Sequence, residues 1–288
     1  MKKVFRILQT LRYLKLGQIS WRIYYRYFPN LVWMLQKNRT RDSKSTKVNI
    51  KVDVEFIPSL ESYLGEFTFK FLNRIKTPKT WNDLNIQKLW NYNLHYLDYI
   101  NQEGFKDDYI VGKWIKDNPI GVGNGWEPYT LSLRIVNLIK FQLTHSTLQE
   151  KVLDSLYTQA NYLYANLEYH ILGNHLFENG KALFVSGLFF SDDRLFSKGL
   201  EILHREIEEQ VLEDGAHFEL SPMYHCILLE GLLDIINFSK CFDYEVPIKW
   251  VSKIQSMLNY MQAILHPDGE IVCFNDSTFG ISKSPILI

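Results

Sequence analysis

A helical periodicity that runs with few breaks from about residue 84 to 265 constrains the fold more than any other feature of the sequence. Leu89, Tyr92, Tyr96, Leu97 and Ile100 recur at the three- and four-residue spacing of one helix face, and the segment stops before Gly104. Loop signals at Asn118-Pro119 and Gly121–Gly125 precede Pro128, which opens a helix carrying Leu131, Ile135, Leu138 and Ile139. Further helices fit 147–169, 174–190, 194–211, 222–240 and 247–265, punctuated by Gly173, Ser191-Asp192-Asp193, Asp214-Gly215 and Pro247. Helices of this length on short polar turns pair as antiparallel hairpins. The expected fold is all-α, an incomplete (α/α) toroid of such hairpins, without the strict repeat of a consensus solenoid. Only Gly269–Phe274 reads as a strand. Three regions follow: a basic helical arm and linker over 1–53, the toroid over 54–265, and the start of a β region over 266–288.

The 288 residues carry no net charge, but the charge is unevenly placed. Through Arg41 there are ten basic residues and no acid, which leaves 22 basic and 32 acidic residues beyond it. Within that arm, residues 1–36 read as one or two helices that end near Pro29. A basic arm with interleaved Leu, Ile, Trp and Tyr suits an anionic membrane surface or another acidic partner. It equally suits an amphipathic helix docked on the rest of the fold. No window is apolar enough for a membrane span, and charges interrupt every apolar run near the start, as they do not in a signal peptide. On that basis the chain reads as cytoplasmic, with peripheral membrane contact through the arm as the alternative. Three scattered cysteines (Cys226, Cys241, Cys273) form neither a disulfide framework nor a metal pair.

Three segments hold the candidate chemistry. In Asn166–Asn179, His175, Glu178 and Asn179 fall on one face of an otherwise apolar helix. They read either as a site floor, with Asn174 and His175 facing ligand and Glu178 orienting the imidazole, or as an Asn174 N-cap with a structural His175–Glu178 pair. In Asp214–His225, Ser221-Pro222 reads as N-cap and first helical residue, so Tyr224 lies in the first turn. The positive end of a helix dipole there favours the phenolate and lowers the phenol's pKa. An ordinary amphipathic tyrosine is the alternative. In Trp126–Asn137, Arg134 is able to fork onto a carboxylate or to bridge neighbouring helices. Trp126, Tyr129, Tyr92 and His95 are aromatic groups of the kind that hold sugars, or else core. No dinucleotide, P-loop, zinc-helix or nucleophile-elbow motif is present, so no cofactor, metal or nucleic-acid partner is expected.

Four pieces, in order, resemble the heparinase II/III-like polysaccharide lyases: Trp90–Tyr96, Trp126…Pro128-Tyr129…Ser132…Arg134, Leu167–His170…Gly173-Asn174-His175…Glu178-Asn179, and Asp214-Gly215…Glu219…Ser221–Tyr224. The likeness spans roughly residues 80–280 and corresponds to the family's N-terminal toroid. It implies β-elimination on uronate-containing acidic polysaccharide, in which the C5 proton is removed and the C4 glycosidic oxygen leaves. It also implies roles: Asn174 and His175 neutralise the uronate carboxylate, and Tyr224 serves as acid and for some substrates as base. Glu178 matches the carboxylate beside the histidine, and Arg134 an arginine that some members use on substrate acid groups. Such chemistry needs donors that hold negative charge on the carboxylate as the proton departs.

Family lyases continue into a C-terminal β-sandwich that supplies another catalytic histidine. The expected partners are therefore an acidic polysaccharide and a separately encoded sandwich domain, and the 288-residue chain alone is expected to be weakly active or inactive. Members without a signal peptide accompany surface-polysaccharide biosynthesis, including capsule. Two other readings stand beside this one: a non-catalytic acidic-glycan-binding or scaffold protein, and an α/α-barrel glycoside hydrolase using Glu178 and Glu219 as its paired carboxylates.

Overall fold

The computed structural model describes residues 14–28, 31–47, 50, 54–107, 109–145 and 148–288. Two short arm helices, α1 (Leu16–Tyr27) and α2 (Leu31–Gln36), precede an antiparallel hairpin of β1 (Phe69–Phe71) and β2 (Arg74–Lys76). Then come α3 (Lys88–Tyr96), α4 (Ile110–Asp117), α5 (Pro128–His145), α6 (Glu150–Ala165), α7 (Gly173–Phe190), α8 (Asp193–Gln210), α9 (Pro222–Cys241) and α10 (Ile248–Ile264). Among the described residues the fold is all-α apart from that hairpin. Residues 1–13 of the expected arm lie outside the described residues.

Burial separates inner from outer helices. α7 buries nearly all its side chains from Leu176 to Phe190, and α5 and α9 bury residues on every side. The outer helices bury single stripes: Leu195, Gly199, Ile202, Glu206 and Gln210 on α8, and Trp250, Ile254, Met257 and Met261 on α10. An all-round apolar helix must be enclosed, while a one-sided helix closes a layer. The result is a row of hairpins, α5/α6, α7/α8 and α9/α10, in which α7 touches both α5 and α9. Local signals set the starts. Asp192 caps α8 by accepting from the N–H groups of Arg194 (3.0 Å) and Leu195 (3.2 Å), and Ser221 caps α9 by accepting from Tyr224 N–H (3.3 Å).

α7 and α8 approach most closely, because glycines face one another. A Cβ on Gly187 would collide with the backbone nitrogen of Phe196, and one on Gly199 with that of Phe184. Gly180 leaves room for Ile202 in the same way.

Two expectations need correction. The hairpin at 69–76 was not anticipated; it turns on Leu72 and Asn73, both at positive φ, the hand a two-residue hairpin turn requires. The strand expected at Gly269–Phe274 is absent, and among the described residues 266–288 contain only loops and a short 3-10 turn, Pro285–Leu287. No neighbouring strand pairs with it. Side chains fix the segment instead: Asn275 Nδ2 donates to Leu220 O (2.7 Å), Met223 N–H donates to Ser277 Oγ (3.2 Å), and Lys283 pairs with Glu230 (2.7 Å). The segment thereby lies over the start of α9.

Candidate active site

The loop between α6 and α7 and the first turn of α7 build the site. Leu172 and Gly173 both have positive φ, and this reversal folds Glu168 back against the helix it precedes. His175 Nδ1 meets Glu168 Oε1 at 3.0 Å. Asn179 locks the pair, accepting from Glu168 N–H (2.8 Å) and donating to Glu168 Oε2 (3.0 Å) and Ser132 Oγ (3.0 Å). Glu168 is 5% exposed, whereas the His175 side chain is 41% exposed, so a buried carboxylate holds an imidazole whose other nitrogen stays available.

Around that imidazole lie tyrosines and a second acid. The rings of Tyr129 and His175 are 4.6 Å apart, and Asn174 Nδ2 donates to the Tyr129 hydroxyl (3.1 Å). Tyr96 stands edge-on to Tyr129 at 6.1 Å, and Tyr92, one turn earlier on α3, donates its hydroxyl to Glu127. Glu219 is close enough to Gly173 that a Cβ there would lie 3.8 Å from its Oε1, and His175 lowers its pKa against a stronger rise from burial. Tyr224 is stacked 6.3 Å from the His217 ring and lies near enough to Glu219 and Tyr129 for their charges to act on one another. Its hydroxyl has no hydrogen-bond partner among the described residues. Asn174, His175, Tyr129, Glu219 and Tyr224 therefore share one rim.

Several expected site residues are elsewhere or differ in state. Glu178 does not orient His175. It is 1% exposed and pairs with Lys181 (2.8 Å), so neither the functional nor the structural His175–Glu178 pair forms. Arg134 is fully buried under Trp114, 3.8 Å from its ring, and donates to Gln159 Oε1 (2.8 Å) and His95 O (3.1 Å). It bridges helices through an amide and a carbonyl, not through an acid, and does not reach the rim. Trp126 is core, its indole N–H donating to Asn118 O (3.2 Å). His95 is fully enclosed and accepts the Trp114 indole N–H on Nδ1 (3.0 Å). Asn174 is not the N-cap of α7; that position is Leu172.

Tyr224 does sit in the first turn of α9 behind Ser221 and Pro222, yet its pKa moves up, not down. Burial contributes most, followed by the charges of Glu219 and Asp276. The proton thus stays on the phenol at neutral pH.

Burial pushes His95 down to about 3, with Arg134 adding to the effect, and pushes His217 down to about 4. Both bind a proton more readily unfolded, near the usual 6.5, than folded. Their contribution to stability is therefore complete above about 6.5 and is lost as pH falls toward these lower values. Urea denaturation should show stability falling by up to about 1.4 kcal/mol per pH unit per histidine in that window. A His95→Gln variant with a flatter profile is the expected control; an unchanged profile would remove His95 from the account.

The residues 78–284 match the family model described as Heparinase II/III N-terminus, well over half of the chain. The chain belongs to the heparinase II/III family. A heparin-sulfate lyase of Pedobacter heparinus is 32% identical over 188 residues, which cover 59% of this chain and 28% of that protein. Another heparin-sulfate lyase, from Bacteroides stercoris, is 29% identical over 115 residues, 38% of this chain and 17% of that one. The crystal structure of heparan sulfate lyase HepC from Pedobacter heparinus superposes with a TM-score of 0.52 at 21% identity, over 92% of this chain and 49% of that chain. A heparinase III structure gives 0.50 at 16% identity, over 88% and 46%. These structures share the helical toroid, and the chain spans about half the length of each.

Glu168 is the residue of the candidate site that the sequence reading left without a role. Helical spacing pointed to Glu178, three residues after His175. Only the reversal at Leu172-Gly173 could have redirected attention to the acid before the helix.

Proposed function

We propose that this heparinase II/III family member is a polysaccharide lyase that cleaves uronate-containing acidic polysaccharide by β-elimination. The observation that carries the reading is the shared rim of Asn174, His175 and Tyr224, with Glu168 fixing the imidazole. In this reading the Asn174 amide and the His175 ring donate to the uronate carboxylate and stabilise the charge that builds there as the C5 proton leaves. The C5 proton passes to the histidine of a covering sandwich domain, or slowly to water in the chain alone, while Tyr224, holding its own proton, delivers it to the C4 oxygen as the glycosidic bond breaks. Its raised pKa favours the acid role over the base role. Tyr129 braces Asn174, and Tyr92 and Tyr96 continue the aromatic wall toward a further sugar.

The rim is open, with Glu219 and Leu220 exposed beside the half-exposed His175. Water therefore reaches the charges that must stabilise the transition state, which weakens them. The 288-residue chain alone accordingly turns over weakly, and a β-sandwich domain covering this rim raises the rate. The glycoside-hydrolase reading loses its first carboxylate, since Glu178 is sealed against Lys181.

The test is to incubate the chain with heparan sulfate, alginate and hyaluronan and follow the absorbance of unsaturated uronate, with and without a sandwich domain from a family relative. Slow formation of the unsaturated product from at least one substrate is expected. Tight binding of these polysaccharides with no product under either condition would assign the chain to non-catalytic glycan binding, and reducing ends without unsaturation would mean hydrolysis.

A further inference from the structure

The N-terminal arm shows two faces with different uses. Gln18, Trp21 and Tyr25 lie along one side of α1 and dock it: Gln18 Nε2 donates to Ile171 O (3.2 Å), Trp21 stacks on Tyr169 (4.8 Å), and Tyr25 donates to Leu167 O. On a helix of 3.6 residues per turn, Leu16, Ser20, Ile23 and Tyr27 fall on the opposite side. The three apolar members of that stripe are 85%, 53% and 72% exposed. Phe28, Leu31, Met34 and Leu35 extend the exposed apolar run through α2. α2 is itself held down by Trp33 against Tyr162, at 5.0 Å.

Charge says what covers this stripe. Lys15 is tied to Glu209 (2.5 Å), but Arg22 and Arg26, which have no ion pair among the described residues, lie on the flank between the docking side and the apolar side, and Lys37 and Arg39 follow. No acid occurs before Asp42. A second copy of the chain docked through this stripe would bring the same unpaired arginines face to face. A polysaccharide would use the cations and leave the apolar stripe in water. An anionic bilayer uses both at once, taking the apolar side chains below the headgroups while the basic flank meets lipid phosphates.

We propose that the arm, α1 with α2, docks this protein on an anionic membrane surface. Docking is interfacial, since no described helix is long and apolar enough to cross a bilayer. Because the opposite side of α1 packs on the α6–α7 loop that carries Glu168, the active-site rim is held at a fixed orientation to the membrane. The proposal does not depend on the lyase reading.

The experiment is sedimentation of the full chain with vesicles of phosphatidylcholine plus phosphatidylglycerol, against phosphatidylcholine alone. Pelleting is expected with the anionic vesicles only, and it should weaken as salt is raised. A variant combining Leu16→Glu, Ile23→Glu and Tyr27→Glu should lose about tenfold or more in vesicle affinity while keeping the wild-type melting temperature. Arg22→Gln with Arg26→Gln should lose affinity and most of the salt dependence. The proposal is overturned if the wild-type chain stays in the supernatant, or if the triple variant binds vesicles as the wild type does. It is equally overturned if ultracentrifugation shows a dimer that the triple variant dissolves, or if only immobilised heparin retains the arm.

Discussion

If Tyr224 is the proposed acid, replacing it with phenylalanine should lower turnover by about 10²–10⁴-fold, the usual loss when a positioned acid is removed, and leave the fold intact. The hydroxyl makes no hydrogen bond within the described protein, so its loss strands no partner and should cost little stability. Polysaccharide affinity should be kept, because in the proposed mechanism Asn174 and His175 still hold the carboxylate. A second readout separates a proton donor from a packing residue. Burial with Glu219 and Asp276 raises the phenol's pKa, so the alkaline limb of the wild-type rate profile should lie above the ordinary tyrosine range near ~10. Glu219→Gln removes one of those charges and should move that limb downward. Unchanged turnover in Tyr224→Phe would show that the proton passes through another group.

The largest effect on stability is expected from Lys181→Met. Lys181 and Glu178 pair at 2.8 Å with side chains 6% and 2% exposed, and Lys181 is the cation that opposes the rise of the Glu178 pKa. Removing the ammonium leaves a buried carboxylate without a counter-charge, at a cost of about 3–5 kcal/mol. For a chain of this size that lowers the melting temperature by on the order of 10 °C. The pH dependence carries a definite sign. A folded-state pKa above the unfolded value means that the native state binds the extra proton, so the deficit should be smallest in acid and grow as pH rises through the Glu178 pKa. The double variant Glu178→Leu/Lys181→Met should recover most of the loss, since apolar side chains of similar size remove both buried charges. A double variant as unstable as Lys181→Met alone would mean that packing, not charge, sets the cost.

The helices were legible because their signals are local. Pro128, Asp192 and Ser221-Pro222 mark starts within one turn, and the burial stripes repeat at helical spacing. Part of the candidate site's placement was legible for the same reason: Asn174 and His175 are neighbours in sequence, and Tyr224 is placed by its own cap. What failed depends on chain segments far apart. Arg134 looks free along α5, but Trp114 and Gln159 close over it from two other helices. The pKa direction of Tyr224 follows from Glu219 and Asp276, and the latter arrives on the segment after α10. His95 and Trp126 are aromatic at helical positions that read identically whether they face a groove or the core; Trp114 and Asn118 decide it. Glu168 was hidden by a backbone reversal that periodicity does not register.

The facing glycines of α7 and α8 have a consequence for how the proposed site would accommodate a polysaccharide. Backbones that touch at Gly187 and Gly199 have no side-chain layer between them through which to slide, so the two helices should move as one plate. His175 stands at one end of that plate and inherits its stillness. Under the proposed function, adjustment to sugars of different size then falls to the segments that meet the plate from outside, 212–221 and 274–280, which side-chain hydrogen bonds join together. Selection for new substrates should accordingly leave its changes in those segments, while the glycine seam stays fixed because no larger residue fits there.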